Sequence, residues 1–298
     1  MNGAAWMDGQ VVPLAEARLH VTDWGLTRSD ITYDVVKVWR GRFFRLDLHV
    51  ERFLRSAERL RLDIGEDAAS VRRALHEMVA ASGLDDAYVS MCASRGSPSV
   101  PGTRDPRFCA NHFYAWAVPF VWVFAPDVVK RGATLMLPRD RQRIDPLAVD
   151  PTVKNYHWGD FTAALMDAKD AGFDSCLLAD RRGFVTEGAG FNVFCVEEGR
   201  LLTPRSGALE GVTRRTVMEV AAELGIEAEA TDIGTGRFME AAEAFACTTA
   251  GGITPVARIN EARFEAPGPV TRTVMNRFEA WHDRPEFSEP VGSGSGSD

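Results

Sequence analysis

Residues 153–160 read Val-Lys-Asn-Tyr-His-Trp-Gly-Asp and hold one of only four lysines in the chain. Lys154 follows Asp150-Pro151-Thr152-Val153, a stretch typical of extended backbone, and precedes a helical pattern. A lysine buried at such a junction has a lowered pKa and can form a Schiff base. An exposed lysine is the ordinary alternative, so the choice depends on the acidic and anion-binding elements elsewhere in the chain.

Composition narrows the class of protein. The chain has 298 residues, 45% hydrophobic and 26% charged, which fits a globular protein of one large or two modest domains. The formal net charge is −8, and thirty of the 34 basic residues are arginines. An acidic chain argues against binding to nucleic acids or to anionic membrane surfaces.

Targeting and metal-binding signals are absent from the sequence. No apolar run approaches the length that spans a bilayer, and the first residues lack the pattern of a secretory signal. The five cysteines are scattered and odd in number, and the six histidines do not cluster. These features predict a cytoplasmic protein with reduced thiols and no metal site.

The first part of the chain is predicted to hold strands and two helices. Residues 6–12 carry a hairpin signal with Asp8-Gly9 at the turn. One helix begins with Asp47 as a plausible N-cap, and a second runs from about Asp67 to Gly83. Further strands are predicted at residues 31–39, 43–45, 87–93 and 112–124.

The second part begins with a stretch rich in arginine, aspartate and proline at residues 126–151. A helix follows Lys154 and stops at Gly172, and two later helices are predicted around residues 213–224 and 270–281. Strands are predicted at residues 175–179, 184–187, 191–196, 201–203 and 244–248.

Strands and helices occur in blocks without strict alternation, which indicates an α+β fold of two domains. We predict a small N-terminal α/β domain at residues 1–122. A larger C-terminal domain with pseudo-barrel β structure would take residues 123–286. Residues 287–298 would form a flexible tail, whose glycine–serine repeat is typical of an artificial linker.

Three elements are candidates for binding a phosphate. Gly211-Val212-Thr213 opens a helix, where backbone N–H groups and the helix dipole favour an anion; an ordinary glycine before a helix is the alternative. Residues 248–252, Thr-Thr-Ala-Gly-Gly, offer two hydroxyls, although a plain tight turn fits them too. Arg52 lies off the apolar stripe of its helix and fits either a solvated arginine or a phosphate ligand.

Glu187 is the candidate acidic partner. It stands at the end of a predicted strand, before Gly188-Ala189-Gly190, where small residues allow close approach to the backbone. Taken alone, it also fits a solvated surface. Beside a pyridine ring, its carboxylate would keep the ring nitrogen protonated.

Four motifs stand in a fixed order: Lys154, Thr186 to Asn192, Leu209 to Arg214, and Cys247 to Gly252. Together they resemble the fold-type IV pyridoxal-phosphate transaminases, the group that contains the branched-chain and D-amino acid aminotransferases. The resemblance covers nearly the whole chain. Within the group, the motifs are most similar to those of the (R)-selective amine transaminases, at residues 29–35, 43–47, 150–160 and 247–252.

The resemblance implies pyridoxal 5'-phosphate as the cofactor and a role for each matching residue. Lys154 would be the Schiff-base lysine and the proton shuttle. Glu187 would pair with the pyridine nitrogen and make the ring an electron sink. The other cofactor contacts would come from Arg52, Trp158, Val212, Thr213, Thr248 and Thr249.

Tyr33, Val35 and Tyr88 match family positions that shape the substrate pockets. The sequence departs from the family's pattern at two positions, which concern the substrate and not the cofactor site. Pro101 stands where some relatives carry a carboxylate-binding arginine, and Arg28 stands where several have histidine. Arg104 is the nearby candidate for binding the keto-acid carboxylate.

We therefore expect a homodimeric transaminase that moves an amino group from an (R)-amine to a keto acid such as pyruvate by a ping-pong mechanism. An aminotransferase for D- or branched-chain amino acids is the alternative. Behind it stand an aminodeoxychorismate lyase on the same fold and a non-catalytic protein that binds a phosphate ligand.

Overall fold

The computed structural model describes residues 2–292, which form two compact units. The first unit takes the described residues up to Val121, the segment Val153–Tyr156 and the residues from Arg284 onward. The second takes Trp122–Thr152 and His157–Asp283. The domain bounds that we derived from the sequence stay a prediction.

Sixteen strands lie among these residues. They are β1 (Ala4–Met7), β2 (Gln10–Pro13), β3 (Ile31–Trp39), β4 (Arg42–Phe44), β5 (Ala87–Ser94), β6 (His112–Pro119), β7 (Ala133–Met136), β8 (Ser175–Ala179), β9 (Val185–Gly188), β10 (Asn192–Glu197), β11 (Arg200–Pro204), β12 (Ala228–Thr231), β13 (Glu243–Thr248), β14 (Gly252–Ile259), β15 (Ala262–Arg263) and β16 (Ser288–Pro290).

Eight α-helices lie in the same described part of the chain. They are α1 (Trp24–Arg28), α2 (Leu46–Arg59), α3 (Ala68–Ser82), α4 (Pro126–Arg131), α5 (Gly159–Asp170), α6 (Val212–Glu223), α7 (Thr235–Met239) and α8 (Pro269–Trp281). No helix between residues 2 and 292 has both the length and the apolar character needed to cross a membrane.

The first unit is built on an antiparallel seven-stranded sheet in the order β16-β4-β3-β5-β6-β1-β2. The hairpin predicted at residues 6–12 is confirmed as β1 and β2, in which Met7 pairs with Gln10. Asp8 and Gly9 both have positive φ, as a two-residue turn between twisted strands requires.

Alternation of side chains along β3 assigns them to two faces of this sheet. Val36 and Val38 belong to the core that α2 and α3 complete. Tyr33 and Val35 belong to a second cluster, which is rich in aromatic rings. Thr32 and Asp34 therefore share the helix-covered face, whereas Tyr33 and Val35 share the other.

The two helices of this unit begin in different ways. The helix predicted from about Asp67 is confirmed as α3, and Asp67 caps it: its carboxylate accepts from the Ser70 N–H while the Ser70 hydroxyl accepts from the Asp67 N–H. The predicted cap at Asp47 is wrong, because α2 begins at Leu46 after Arg45, which has φ 56°. Asp47 lies in the first turn, where a carboxylate still favours the helix dipole.

Within the first unit, the segment that carries Lys154 is joined to β3 by a short stretch of strand-like pairing. Only the last residues of β3, Val38 and Trp39, pair with β4, so the first half of β3 has an open edge. Thr32 forms an antiparallel bridge with Asn155 on that edge. The Lys154 carbonyl accepts from the Thr32 hydroxyl at 2.7 Å and from the Tyr33 N–H at 3.1 Å.

The end of the chain differs from its prediction as a flexible tail from residue 287. Ser288–Pro290 form β16, which covers the edge of β4. Glu289 accepts from Arg72 at 2.6 Å and lies 3.0 Å from His76 Nε2. The rest of the predicted tail, residues 293–298, lies outside the described residues.

The second unit holds a nine-stranded sheet in the order β12-β11-β10-β13-β14-β7-β8-β9, with β15 paired to β14. The strands predicted at residues 175–179 and 244–248 are confirmed as β8 and β13. Two strands near the middle of the sheet, β7 and β14, were not predicted. The first is only four residues long, and the second contains Pro255.

Candidate functional site

Lys154 places its amine over an aromatic ring of the first unit. Its Nζ lies 4.5 Å from the centroid of Tyr33, within the range of a cation–π contact. Tyr33 stacks on Tyr156 in turn, with ring centroids 4.3 Å apart and planes at 28°. The backbone of Lys154 is hydrogen-bonded to β3 and its amine lies against Tyr33, so both the backbone and the amine of this residue have identified contacts.

The aromatic cluster beside Lys154 contains all four tyrosines of the chain: Tyr33, Tyr88 and Tyr114 on the sheet, and Tyr156 packed against them. Tyr88 stacks on Trp116 at 5.5 Å, in the same cluster as Val35. The three residues predicted to shape the substrate pockets, Tyr33, Val35 and Tyr88, are thus brought together on one face with Lys154.

The polar groups of this face are held in their neutral forms. Burial raises the pKa of the Tyr88, Tyr114 and Tyr156 hydroxyls above the ordinary value. Burial likewise raises the pKa of the Cys92 thiol, whose Sγ lies 3.5 Å from the Tyr156 hydroxyl. At neutral pH this face therefore presents rings and protonated hydroxyls.

Arg52 pairs with a buried carboxylate of the same unit. Its Nε and one terminal nitrogen donate to the two oxygens of Asp34 at 2.7 and 2.8 Å, and His49 Nδ1 lies 2.7 Å from Oδ1. Burial opposes ionisation of Asp34, but the Arg52 charge and the His49 contacts hold its pKa well below the usual range. The Arg52 guanidinium therefore has a fixed direction.

Glu187 of the second unit is anchored through both of its oxygens. Oε2 accepts from the Leu209 N–H at 3.0 Å, and Oε1 accepts from Arg143 Nε at 3.3 Å. Its exposed fraction is 7%. The structure thus excludes the alternative of a solvated surface glutamate.

Arg143 was not predicted from the sequence, although it contacts two carboxylates. Its Nη1 donates to Asp160 Oδ2 at 2.6 Å, and its guanidinium lies 4.2 Å from the ring centroid of Phe161. Asp160 and Phe161 belong to α5, and Glu187 lies near the end of β9. No sequence spacing reveals such a contact between distant segments.

Gly211 and Asn192 join two of the motifs. A Cβ at Gly211 would lie 2.0 Å from Asn192 Oδ1, so only glycine fits before α6. The Asn192 amide donates to the Leu209 carbonyl at 2.9 Å. This packing brings the start of α6, with the Val212 and Thr213 N–H groups, next to the segment that carries Glu187.

Two of the three predicted phosphate elements meet within the second unit. The Thr213 and Thr249 hydroxyls are 3.4 Å apart. Thr248 directs its hydroxyl elsewhere and donates to the Gly190 carbonyl at 2.9 Å. Gly251 has φ 144°, a conformation that favours glycine, so the turn after β13 needs this residue. Arg52, the third element, belongs to the first unit.

Trp158 packs against the same glycine-rich segment. A Cβ at Gly190 would lie 3.4 Å from the Trp158 indole, and Gly190 has φ 88°. Trp158 also meets Phe161 edge to face at 5.6 Å. Within the second unit, Trp158, Glu187 and Thr248 are therefore linked through residues 187–190.

Arg104 is an exposed residue in the loop between β5 and β6. The described contacts do not place it with the tyrosine face. Pro101 in the same loop is exposed as well. The role of Arg104 in binding a carboxylate stays a prediction.

Comparison with known proteins decides the family. Residues 32–259 match the model of the amino-transferase class IV family. The chain belongs to this family. It is a pyridoxal-phosphate-dependent aminotransferase, so the enzyme class and the cofactor predicted from the sequence are confirmed.

Curated relatives match over most of the chain. A putative branched-chain-amino-acid aminotransferase of Methanocaldococcus jannaschii is 29% identical over 92% of this chain and 94% of its own length. The branched-chain-amino-acid aminotransferase of Salmonella typhimurium is 25% identical over 92% and 91%. These relatives do not support the finer prediction of an (R)-selective amine transaminase.

Solved structures share the fold. The branched-chain aminotransferase of Thermoproteus uzoniensis with norvaline superposes with a TM-score of 0.87 at 28% identity, over 97% of this chain and 99% of that one. The branched-chain amino acid aminotransferase of Thermobaculum terrenum in its PLP form gives 0.84 at 26% identity, over 97% and 98%. The predicted fold-type IV class is confirmed.

Proposed function

We propose that this enzyme transfers amino groups between branched-chain amino acids and keto acids. The observation that carries the proposal is the match, over more than nine-tenths of the chain, to relatives named for that activity. A similar structure was solved with norvaline, an unbranched aliphatic amino acid, and others with the cofactor or its derivatives. D-amino acids remain the alternative donors within the same reaction type.

The cofactor fits the residues described above. Glu187 offers a carboxylate held at both oxygens, as a protonated pyridine nitrogen requires. The hydroxyls of Thr213, at the start of α6, and Thr249, after β13, are 3.4 Å apart and suit a phosphate. Further contacts are proposed for Arg52, Trp158 and the Val212 N–H.

Lys154 is proposed as the residue that binds the cofactor covalently and then moves the substrate proton. When bound, the cofactor supplies an aldehyde that takes up amino groups and a ring that withdraws electrons from the substrate. A lysine amine is suited to the proton step because it exchanges its proton readily, whereas arginine does not. The Tyr33 ring lies against that amine, and the β3 edge holds the Lys154 backbone carbonyl.

Glu187 is proposed to keep the ring nitrogen protonated. Its buried carboxylate accepts hydrogen bonds from the Leu209 N–H and from Arg143 Nε, so it has a fixed direction. A charge held in a dry, preorganised site acts more strongly than one in water. The two proposed residues of the chemical step thus have separate tasks, proton transfer for Lys154 and charge stabilisation for Glu187.

An (R)-amine donor is the second candidate, and the tyrosine face favours it. Tyr33, Tyr88 and Trp116 offer aromatic surface, and burial keeps Tyr88 protonated. Aromatic or alkyl groups gain from burial on such a surface, whereas a carboxylate there would lose water at a cost of about 1–3 kcal/mol unless a donor met it.

A donor panel separates the two candidates. L-leucine, D-alanine, (R)-1-phenylethylamine and (S)-1-phenylethylamine are compared by kcat/KM with one keto acid, and Lys154→Ala serves as the inactive control. We expect the highest value with L-leucine. A higher value with (R)-1-phenylethylamine would replace the main proposal by the second, and a higher value with D-alanine would favour the D-amino acid alternative.

We also propose that the enzyme assembles as a homodimer and is located in the cytoplasm. Sedimentation of the purified enzyme would test the first, since a monomer at working concentration contradicts it. We also propose that Arg104 assists the keto acid. Arg104→Ala should then raise the apparent KM for pyruvate and leave the amine half-reaction nearly unchanged.

A further inference from the structure

Arg143 lies between two carboxylates in the second unit, at unequal distances. Its Nη1 is 2.6 Å from Asp160 Oδ2, and its Nε is 3.3 Å from Glu187 Oε1. The side chains of Arg143 and Asp160 are 5% and 14% exposed. One guanidinium therefore contacts two carboxylates in a largely buried site, and Asp160 is the nearer partner.

Asp160 is held rigidly for this contact. It lies in the first turn of α5, where a carboxylate is favoured by the helix dipole. Its Oδ2 also accepts from the Ile144 N–H at 2.8 Å, and its Oδ1 accepts from the Phe161 N–H at 2.8 Å. Phe161 in turn lies against the guanidinium at 4.2 Å, so Arg143 is fixed on two sides.

The position of the positive charge determines how much negative charge Glu187 keeps. A guanidinium that faced only Glu187 would neutralise it, because both groups are buried and the interaction is weakly screened. Here one guanidinium faces two carboxylates, and Asp160 is the nearer of the two. The direction of Glu187 comes from the Leu209 N–H and from Arg143 Nε, whose ion pair with Glu187, at 3.3 Å, is longer than its 2.6 Å pair with Asp160.

We infer that Asp160 is a positioning residue, which holds the charge of Arg143 away from Glu187 so that Glu187 can pair with the pyridine nitrogen of the cofactor. The inference rests on the proposed role of Glu187. Asp160 acts only through Arg143 and is assigned no contact with substrate or cofactor.

The effect of removing the Asp160 charge on cofactor binding should depend on the ring nitrogen. In Asp160→Asn the guanidinium loses its nearer charged partner, and its charge acts more fully on Glu187. The carboxylate then holds a protonated ring nitrogen less well. We expect the Kd of pyridoxal 5'-phosphate to rise about threefold to tenfold, the range of a modest change in charge pairing. An analogue with C–H in place of the ring nitrogen should show no such change.

The experiment titrates apoenzyme with pyridoxal 5'-phosphate and with its carbocyclic-ring analogue. Asp170→Asn is the matched control, because Asp170 ends the same helix and is exposed. Asp160→Glu keeps the charge and should restore the selectivity for the nitrogen-containing ring. An Asp160→Asn variant that weakens both ligands equally would show a merely structural role and overturn the inference.

Glu187→Gln separates this inference from the proposed function. If Glu187→Gln loses selectivity for the ring nitrogen and Asp160→Asn does not, the inference alone is wrong. If Glu187→Gln binds both ligands as the wild type does, the proposed role of Glu187 fails. In the double variant, Asp160→Asn should have no further effect on selectivity, and an additive effect would again overturn the inference. Should Asp160→Asn not fold, Asp160→Ser removes the same charge with a smaller side chain and should show the same loss of selectivity; unchanged selectivity there would overturn the inference.

Discussion

Asp34→Asn removes one negative charge from the interior of the first unit and replaces one acceptor oxygen by an amide NH2. Asp34 is fully buried and accepts from Arg52 through both oxygens, from the Val35 N–H at 2.7 Å and from the ring nitrogen of His49. Asparagine has nearly the same shape. The substitution therefore keeps the packing and leaves the Arg52 guanidinium, 5% exposed, with a partner that carries no charge.

The size of the effect follows from burial. Breaking a buried ion pair by removing one charge costs about 3–5 kcal/mol, because the other charge stays desolvated. A chain of this length loses about 2 °C of Tm per kcal/mol, so Tm should fall by about 6–10 °C. Because the pKa of Asp34 is lowered in the fold, its contribution is present above about pH 4 and is lost as the pH falls further.

Urea unfolding of the apoenzyme at pH 7 measures the change, with Asp30→Asn as the matched control. Asp30 accepts from Arg95 in the same two-point geometry, at 2.9 and 3.1 Å, but its side chain is 26% exposed. An exposed pair contributes about 1 kcal/mol or less. Equal losses in the two variants would refute the reasoning, since Asp34 is fully buried and Asp30 is not.

Four further outcomes are expected. Lys154→Ala should abolish transamination and the yellow absorption of the lysine-bound cofactor, and retained turnover would assign the chemistry to another lysine. Glu187→Gln should bind cofactor yet slow single-turnover proton transfer at least about a hundredfold, whereas an unchanged rate constant contradicts its role. Arg52→Ala and Thr249→Ala should raise the cofactor Kd more than they lower kcat at saturation, and wild-type affinity in both would exclude the phosphate contacts. Burial lowers the pKa of His49, so wild-type stability should decline as the pH falls below about 6.5, whereas that of His49→Gln should decline less; parallel profiles would contradict this.

The elements that the sequence predicts well are those whose signal is local. The hairpin at Asp8-Gly9 depends on two adjacent residues with positive φ, and α3 on a cap three residues from its partner. The strands β7 and β14 depend instead on neighbours far along the chain. β7 lies between β14 and β8, although its own stretch is rich in arginine, aspartate and proline. Tertiary pairing outweighs the local pattern there.

The same limit applies to the candidate site. Lys154, Glu187 and Thr249 stand in motifs that can be read from the chain. The partners that orient them cannot, because Arg143 meets Glu187 across 44 residues and Leu209 meets it across 22. Asp34 is adjacent to the predicted Tyr33, but only the pleat of β3 shows that it faces α2 and Arg52.

Arginine and lysine have different tasks in this enzyme. Thirty of the 34 basic residues are arginines, and two buried arginines, Arg52 and Arg143, each hold a carboxylate. Arginine keeps its proton at any working pH and meets a carboxylate at two points, so it fixes charge and direction permanently. Lys154 is assigned a step that needs a proton to leave and return, which arginine does not support. Replacing Arg52 by lysine should therefore weaken cofactor binding even though the charge is kept, because a single ammonium cannot reproduce the two-point contact with Asp34. Replacing Lys154 by arginine should abolish the reaction for the opposite reason.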